Sequence, residues 1–192
     1  MRYKNSVDRT QVRQNFEQLP KGAYVVKMLD VKEVKNKNNE SYHLEISFDI
    51  AEGEYKDFYK KAYQNDTRED KKWSYDAVYY LAEPDENSED WVIKNWNTFW
   101  AAVEDSNEGY VFDGDEKKAK NKLVGGLFRI EQTESNGKVY NHTRLTWVRQ
   151  ASDIRDGKYG SLPQDKLFEA PTVASSDDFM NIPEGAEEAL PF

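Results

Sequence analysis

Residues 122–150 read KLVGGLFRIEQTESNGKVYNHTRLTWVRQ, and this stretch decides the class of fold. Two runs of alternating apolar and polar residues, 122–134 and 138–150, lie on either side of the dipeptide Asn136-Gly137. An Asn-Gly pair between such runs is the strongest short-range signal for a β-hairpin, because both residues tolerate the positive φ angles of a two-residue turn. The stretch therefore predicts two long antiparallel strands.

A pair of glycines, Gly125-Gly126, interrupts the first of these strands. A phosphate-binding loop would continue into Lys-Ser or Lys-Thr and a helix, and neither follows here. Glycine inside a strand pattern also marks a bulge or a sharp bend. We therefore predict a bulge or bend at a barrel corner rather than a phosphate site.

The chain that precedes this hairpin has the same period of two. Residues 23–34, AYVVKMLDVKEV, are rich in β-branched residues, and residues 41–50, SYHLEISFDI, alternate between two faces. Two such runs separated by a polar turn predict a second hairpin. Residues 55–63, YKDFYKKAY, follow a turn around Gly53 and are predicted as a third strand, antiparallel to the second. The apolar face of the second strand comprises Tyr42, Leu44, Ile46, Phe48 and Ile50.

Residues 88–106, SEDWVIKNWNTFWAAVEDS, have the period of a helix instead. Ser88 is the predicted N-cap, and the two acidic residues that follow it suit the first turn of a helix. Rings on the apolar face of a helix usually pack in the core, so no stacking role is assigned to the tryptophans of this face. The face comprises Val92, Trp96, Phe99, Trp100 and Val103.

The predicted elements follow the order of three strands, one helix and two strands. This is the order of the five-stranded OB barrel, with its helix between the third and fourth strands. Five strands and a helix are also compatible with other barrels. We therefore predict a mainly β protein, with a five-stranded OB-fold barrel over residues 20–166 and a helical segment inserted between strands three and four.

A different pattern occurs at each end of the chain. Within residues 1–19, Val12, Phe16 and Leu19 have helical spacing, which predicts an N-terminal helical arm that ends at Pro20. Residues 167–192 contain six acidic residues, no Lys or Arg, and three prolines, so they are predicted to form a disordered acidic C-terminal tail. The tail closes with an aromatic residue beside a carboxylate, a group that a cationic pocket on a partner can bind.

The balance of acidic and basic residues limits the kinds of partner that the predicted barrel can bind. The chain has 36 acidic and 27 basic residues, and without the six acids of the tail 30 acidic residues remain against the same 27. A nucleic-acid site would therefore have to be a local basic stripe rather than a generally basic surface. The N-terminus lacks an apolar signal segment, and no run approaches the length of a membrane span, so we predict no membrane association.

The residue types needed for catalysis are scarce. The sequence has no cysteine and two histidines, His43 and His142, without a nucleophile motif such as G-x-S-x-G. This excludes disulfides and thiolate chemistry and favours an intracellular protein. We predict a binding protein that is not an enzyme and requires no metal or cofactor.

Aromatic residues make up 14% of the chain, and several are interleaved with lysine and arginine. A single-strand binder needs such a combination, because bases stack on exposed rings while cations contact the phosphates. Core packing is the alternative role for each ring. The predicted DNA-binding residues are Lys35, Lys37, Tyr59, Lys61, Tyr63, Arg68, Lys72, Trp73, Arg129, Tyr140, Arg144 and Trp147.

Five segments together resemble the single-stranded-DNA-binding proteins of bacteriophages that infect Gram-positive hosts. The resemblance extends from Phe16 to Pro163. It implies an OB fold and a protein that protects single-stranded DNA, without strong sequence specificity, during phage replication and recombination in the cytoplasm of the infected host. The segments are GAYVVKMLDVKEV (22–34), IAEGEYKDFYKK (50–61), FWAAVEDSNEGY (99–110), KLVGGLFRIEQTESNGKVY (122–140) and SDIRDGKYGSLP (152–163).

The end of the tail has a resemblance of its own. Bacterial single-stranded-DNA-binding proteins close with an acidic linker and Asp-Asp-Asp-Ile-Pro-Phe, and residues 187–192 here read EEALPF. Ala189 and Leu190 depart from that pattern, whereas the final Pro-Phe is kept. The resemblance implies that the tip recruits replication or recombination proteins. The residues assigned to this role are Glu187, Glu188, Leu190, Pro191 and Phe192.

A second hypothesis belongs to a different functional class. The nearly balanced charge of the barrel also suits an OB-like protein-interaction module that does not bind DNA. Binding of an oligothymidine, and its dependence on salt, would separate the two hypotheses. The sequence leaves open whether the chain forms a homo-oligomer.

Overall fold

The computed structural model describes residues 17–37 and 41–169, which form a mainly β structure with a few helices. The strands are β1 (Ala23–Lys35), β2 (Tyr42–Ile50), β3 (Val78–Ala82), β4 (Leu123–Ser135) and β5 (Lys138–Arg149). The helices are α1 (Phe58–Asn65), α2 (Asp90–Ser106) and α3 (Ala151–Arg155). Two short 3₁₀ turns occur at Tyr75–Ala77 and Glu116–Ala119.

The five strands form one antiparallel sheet in the order β3-β2-β1-β4-β5. Strand β1 is central because its first residues pair with β4 and most of its length pairs with β2. A register shift between Met28 and Asp30 bends β1 between these two partners. Within the described residues no backbone ladder joins β3 to β5, so the sheet is not closed.

Both predicted hairpins are confirmed. The turn between β4 and β5 has positive φ angles at Asn136 (52°) and Gly137 (73°), as a two-residue turn of this kind requires. The predicted irregularity in β4 is also present, since the register with β5 shifts between Leu127 and Phe128, just beyond the glycine pair. A Cβ atom on Gly125 would lie 2.5 Å from Ile154 Cγ1, so the close packing of α3 explains a glycine there.

The core lies between one face of the sheet and helix α2. The alternating residues Leu44, Ile46, Phe48 and Ile50 of β2 are buried, as predicted, whereas Tyr42, predicted on the same face, is 41% exposed at the start of the strand. Helix α2 confirms the predicted helix and buries Phe99, Trp100 and Val103 among others. Trp100 stacks on Phe112 with ring centroids 3.6 Å apart, and Trp96 packs against the core, so both tryptophans have the packing role assigned to them.

The predicted N-cap of this helix is wrong. The N-cap residue is Glu89, and its side chain makes no capping hydrogen bond. The Ser88 hydroxyl accepts a hydrogen bond from the backbone N–H of Asp85 at 2.8 Å, so this hydroxyl stabilises the preceding turn instead of the helix. Local turn formation thus competes with helix capping for the same serine oxygen.

The predicted third strand is also wrong. Residues 58–65, within and just beyond the segment 55–63, form helix α1, and the third strand is Val78–Ala82. The alternation in YKDFYKKAY is short, and its half-buried or buried residues Tyr55, Tyr59 and Ala62 also have helical spacing. A distant carboxylate resolves this ambiguity: Asp49 Oδ1 and Oδ2 accept hydrogen bonds from the backbone N–H groups of Tyr59 and Lys60, both at 3.0 Å.

Asp49 therefore caps α1 from a neighbouring strand, and it also accepts a hydrogen bond from the N–H of Ile50 at 2.8 Å. We expect Asp49→Ala to lower the free energy of unfolding by about 2 kcal/mol, because buried N–H groups lose a charged acceptor. Chemical denaturation measures the change. Asp57→Asn is the matched control, since Asp57 occupies the N-cap position without a side-chain capping bond and asparagine tolerates its φ of 58°. Equal midpoints for Asp49→Ala and wild type would contradict the capping role.

The segments that flank the sheet are only partly described. Of the predicted arm, residues 1–16 lie outside the described residues, while residues 17–19 are not helical and Leu19 is buried in the core. Near the other end, Lys166 pairs with β4 through hydrogen bonds to Gln132 N–H (2.8 Å) and Ile130 C=O (2.9 Å). The tail from residue 170 onward lies outside the described residues. In the described part of the chain, no helix combines the length and apolarity needed to cross a membrane.

Candidate nucleic-acid interface

The outward face of β2 and β3 carries aromatic side chains. On β3, Tyr79 and Leu81 are buried, so Tyr80 faces outward and lies opposite Glu45 of β2. His43, two residues before Glu45, is on the same side of the sheet, and its ring centroid is 5.8 Å from that of Tyr80. Strand alternation therefore places these rings on the side away from the core.

The 3₁₀ turn that precedes β3 adds a third ring. Tyr75 lies 6.1 Å from Tyr80 between ring centroids, and the side chain of Tyr75 is 62% exposed while that of Tyr80 is 41% exposed. His43, Tyr80 and Tyr75 together form what we call the aromatic row. The side chain of His43 is only 18% exposed, so Tyr75 and Tyr80 are the rings of this row that stand open enough to accept stacked bases.

Arg144 of β5 lies at one end of the aromatic row and connects the two edges of the sheet. Its guanidinium Cζ lies 4.0 Å from the centroid of the Tyr75 ring and 6.0 Å from that of Tyr80. Its Nη1 also donates a hydrogen bond to the Tyr75 carbonyl at 2.5 Å. These contacts hold the guanidinium, in a side chain that is 12% exposed, against two exposed rings, so that a positive charge lies beside surfaces on which bases can stack.

The Asp76 carboxylate holds this arrangement in place. Asp76 Oδ1 lies 3.0 Å from His142 Nδ1 and 3.8 Å from Arg144 Nη1. Burial raises the pKa of the Asp76 carboxyl, and the neighbouring His142 and Arg144 oppose that increase. The other ring nitrogen of His142 lies 3.0 Å from the Thr133 hydroxyl. Asp76 therefore positions side chains of β5 against the turn that carries Tyr75.

The outward face of β5 continues beyond Arg144. Tyr140 (47% exposed) and His142 precede Arg144 at strand alternation, and the register shift beside Leu127 adds one residue, so that Trp147 (45% exposed) stays on the same side. A groove of about 220 Å³ lies beside Trp147. Its other lining residues are Asn95, Thr98, Val148 and Arg149.

A separate cleft of about 270 Å³ lies beside helix α1, and we call it the α1 cleft. Tyr63 on its wall is tilted against Trp73 at 6.0 Å, and Lys71 Nζ lies 4.7 Å from the Tyr63 ring centroid. Arg68 donates to both oxygens of Asp66, and this side-chain hydrogen bonding lowers the pKa of the Asp66 carboxyl. The lining residues are Glu17, Gln18, Leu19, Phe58, Tyr59, Ala62, Tyr63, Asp66, Arg68, Lys72, Ser74, Asp76 and Thr143.

The predicted DNA-binding residues fall into three groups. Those on the outward face of the sheet are Arg129, Tyr140, Arg144 and Trp147, and those in or beside the α1 cleft are Tyr59, Tyr63, Arg68, Lys72 and Trp73. Lys61 is exposed on α1 and donates to the Lys56 carbonyl, while Lys35 and Lys37 are exposed at the end of β1. The predicted partner-binding residues 187–192 lie outside the described residues.

One of these predictions needs correction. Tyr59 is only 4% exposed and its ring packs edge-on against Phe48 and Phe58, so it cannot serve as an open stacking platform. The assignment depended on the strand prediction for residues 55–63, which gave Tyr59 an outward side. In helix α1 the same residue faces the core.

Sequence reasoning missed Tyr75 and Tyr80. The run VYYLA (78–82) is rich in residues that favour strands, which is a strand signal, but it does not alternate between polar and apolar residues and so does not show which tyrosine faces outward. Nothing local in the sequence pairs Tyr75 with Arg144, which lies 69 residues away. A scan against protein-family models and a search of curated proteins found no match to this chain.

Proposed function

We propose that the chain binds and protects single-stranded DNA, without strong sequence specificity, during phage replication and recombination. The observation that supports this proposal is the aromatic row with the Arg144 guanidinium against two of its rings. Bases stack on the rings of Tyr75 and Tyr80, and Arg144 contributes a positive charge beside them. Every base offers a π-face, so this mode of binding does not depend on base identity.

A single strand suits this face better than a duplex does. Paired bases are stacked on each other and do not expose the planar surfaces that the aromatic row would contact. The three rings and Arg144 come from β2, the turn before β3, β3 and β5, so that several elements hold them in place. Side chains that are already positioned lose little conformational entropy on binding.

The proposed fold is the OB barrel. Its support is the strand order β3-β2-β1-β4-β5 with a helix between β3 and β4, together with the side-chain contacts that draw the β3 and β5 edges together through Tyr75 and Arg144. OB folds bind oligonucleotides on the face of strands two and three, between the loops that follow strands one and four. The aromatic row is on that face, and the loop with Lys35 and Lys37 lies next to it in the chain.

Titration with an unlabelled oligothymidine tests the proposal, with the fluorescence of the chain's own tryptophans as the signal. We expect the logarithm of the association constant to fall linearly with the logarithm of salt concentration, with a slope of about −0.7 for each phosphate contacted. Duplex DNA of the same length is the control and should bind much more weakly. Binding that does not respond to salt, or equal binding of the duplex, would contradict the proposal.

We further propose that the acidic tail competes with DNA and that its tip recruits replication or recombination proteins. Deleting residues 175–192 removes five of the six acidic residues of the tail. Because tethered charges act at a high effective concentration near the barrel, we expect this deletion to raise DNA affinity severalfold at low salt and to change the salt dependence. Titration of the truncated and intact chains measures the difference.

Removal of Phe192 alone is the matched control for this deletion. It leaves every acidic side chain in place, so DNA affinity should remain at the wild-type value while capture of replication or recombination proteins is lost. Unchanged DNA affinity after deletion of 175–192 would argue against competition. Identical sets of proteins captured from infected-host lysate by the intact and Phe192-deleted chains would argue against a role for the tip.

A further inference from the structure

The groove beside Trp147 combines three kinds of side chain, and we call it the Trp147 groove. It has a volume of about 220 Å³ and lies between the end of β5 and helix α2. Trp147 and Arg149 of β5 line it on either side of the buried Val148, and Asn95 and Thr98 line it from one face of α2. An aromatic ring, a cation and two uncharged polar side chains therefore meet in one place.

Arg149 differs from the other described arginines in its partners. Its Nη1 atom donates to the Val148 carbonyl at 2.8 Å, and within the described residues no carboxylate pairs with it. A guanidinium has five N–H donors, so this one bond leaves donors for a ligand. Each of the other described arginines pairs with a carboxylate that a phosphate would have to displace. They are Arg68, Arg129, Arg144 and Arg155.

The Trp147 ring supplies a stacking surface next to this cation. The ring is 45% exposed, so a base can reach it. Residues two apart on a strand are separated by about 7 Å, a distance that one nucleotide can span between its base and its phosphate. A base stacked on Trp147 can therefore place its phosphate at Arg149. The exposed side chains of Asn95 and Thr98 can hydrogen-bond the same phosphate or its sugar.

The Trp147 groove is continuous with the proposed DNA-binding face. Arg144, at the end of the aromatic row, precedes Trp147 by three residues on β5, which is about 10 Å along a strand. Both side chains are on the side of the sheet away from the core. A single strand that stacks on Tyr75 and Tyr80 can therefore continue past Arg144 to the groove.

We propose that the Trp147 groove is a second nucleotide subsite for the bound single strand, in which a base stacks on Trp147 and Arg149 binds its phosphate. The inference rests on the proposed function and extends it, since the DNA site then runs from the turn before β3, across β5, to helix α2. A short strand fills the aromatic row alone, whereas a longer strand reaches both places. Affinity therefore rises with strand length until the groove is filled.

The first test uses oligothymidines of about 4 to 16 nucleotides, the range of site sizes found for OB folds. Anisotropy of a dye-labelled strand measures binding, because Trp147 itself contributes to the fluorescence of the protein. Trp147→Ala is expected to weaken binding of the longest strand by about 5- to 150-fold, the loss that follows from removing one stacked base. Affinity for the shortest strand should stay near the wild-type value, because that strand remains on the aromatic row.

Trp91→Ala is the control for this variant. Trp91 is 60% exposed and does not line the groove, so its removal should leave the affinity for every strand length unchanged. Thermal melting of each preparation shows that the variants are folded.

The second test concerns the phosphate contact. Arg149→Gln is expected to make the salt slope for the longest strand shallower by about 0.7, the value for one phosphate of a single strand. Arg155→Gln removes the same charge from an arginine that is paired with Glu52 and does not line the groove, so it should keep the wild-type slope. A role in stability alone would not change the slope.

Three results would overturn the second subsite while leaving the proposed function standing. They are wild-type affinity of Trp147→Ala at every length, an equal loss for the shortest and longest strands, and an unchanged slope for Arg149→Gln. Absence of binding of wild-type protein to every strand would overturn both the subsite and the proposed function.

Discussion

Replacing Tyr75 and Tyr80 together by alanine is expected to weaken the binding of single-stranded DNA by about 2 to 6 kcal/mol, because each base stacked on a ring contributes about 1 to 3 kcal/mol. Neither side chain belongs to the core, since Tyr75 is 62% and Tyr80 41% exposed, so their truncation should leave the core intact. Titration with oligothymidine at constant salt measures the loss. Thermal melting of the same preparation shows that the variant is folded.

Trp91→Ala is the control for this variant. Trp91 is 60% exposed on helix α2 and is not part of the aromatic row. Removing it takes away an exposed ring of larger area, yet DNA binding should stay at the wild-type value. If the Tyr75/Tyr80 variant binds as the wild type does, the aromatic row is not the DNA-binding face. If Trp91→Ala alone weakens binding, the strand follows α2 instead.

The second large effect concerns stability. Phe128→Ala is expected to lower the free energy of unfolding by about 3 to 5 kcal/mol, the range for removing a buried phenylalanine side chain from a core. Phe128 is fully buried, and its ring lies 5.5 Å from that of Tyr24 and 5.8 Å from that of Phe48. It thus joins β4 to β1 and β2, and the cavity left by alanine would open between all three strands. Chemical denaturation measures the change.

Phe168→Ala makes the same chemical change at an exposed position. Phe168 is 37% exposed near the end of the described chain, so its replacement should alter the free energy of unfolding by no more than about 0.5 kcal/mol. A similar loss in the two variants would show that the cost comes from the substitution itself. A negligible loss for Phe128→Ala would contradict the packing described for the core.

The ion pairs of the arginine side chains indicate how DNA-binding energy would be divided between stacking and phosphate contacts on the proposed DNA-binding face. Arg68 is paired with Asp66 at 2.6 Å and Arg129 with Glu131 at 2.5 Å, so DNA phosphates would have to compete with carboxylates for both cations. Arg144 is packed against Tyr75, and Asp76 lies nearby. Stacking on the aromatic row is therefore expected to contribute more than phosphate contacts, and the salt slope of the titration gives the number of those contacts.

The hairpins could be predicted from sequence because their signals are local. Asn136-Gly137 suits the positive φ angles of its turn, and the alternation in β2 reports which side chains are buried. Helix α2 could be predicted for the same reason, since its apolar residues recur at helical spacing over 17 residues. A long segment repeats the same spacing of apolar residues several times, so its secondary structure can be predicted from that spacing.

Residues 55–63 show where local signals become ambiguous. The run has only nine residues, and its apolar positions Tyr55, Phe58, Tyr59, Ala62 and Tyr63 also recur at helical spacing, which the strand prediction did not weigh. The Asp49 carboxylate of β2 stabilises the helix because it accepts hydrogen bonds from N–H groups in the first turn of α1. The incorrect strand prediction for residues 55–63 also gave Tyr59 an outward face and left the strand at Val78–Ala82 unpredicted. Of the rings predicted to stack, Tyr140 and Trp147 do lie on the outward face of the sheet.

The sequence by itself determined the two hairpins, helix α2 and the mainly β character of the chain, because periodicity and turn chemistry act over neighbouring residues. Only the tertiary structure decided which rings are exposed together. Tyr75 and Arg144 are 69 residues apart in the chain and meet because the turn before β3 lies against β5. The period of the sequence cannot predict that contact, since it arises from the packing of two sheet edges and from the half-buried Asp76 carboxylate between them.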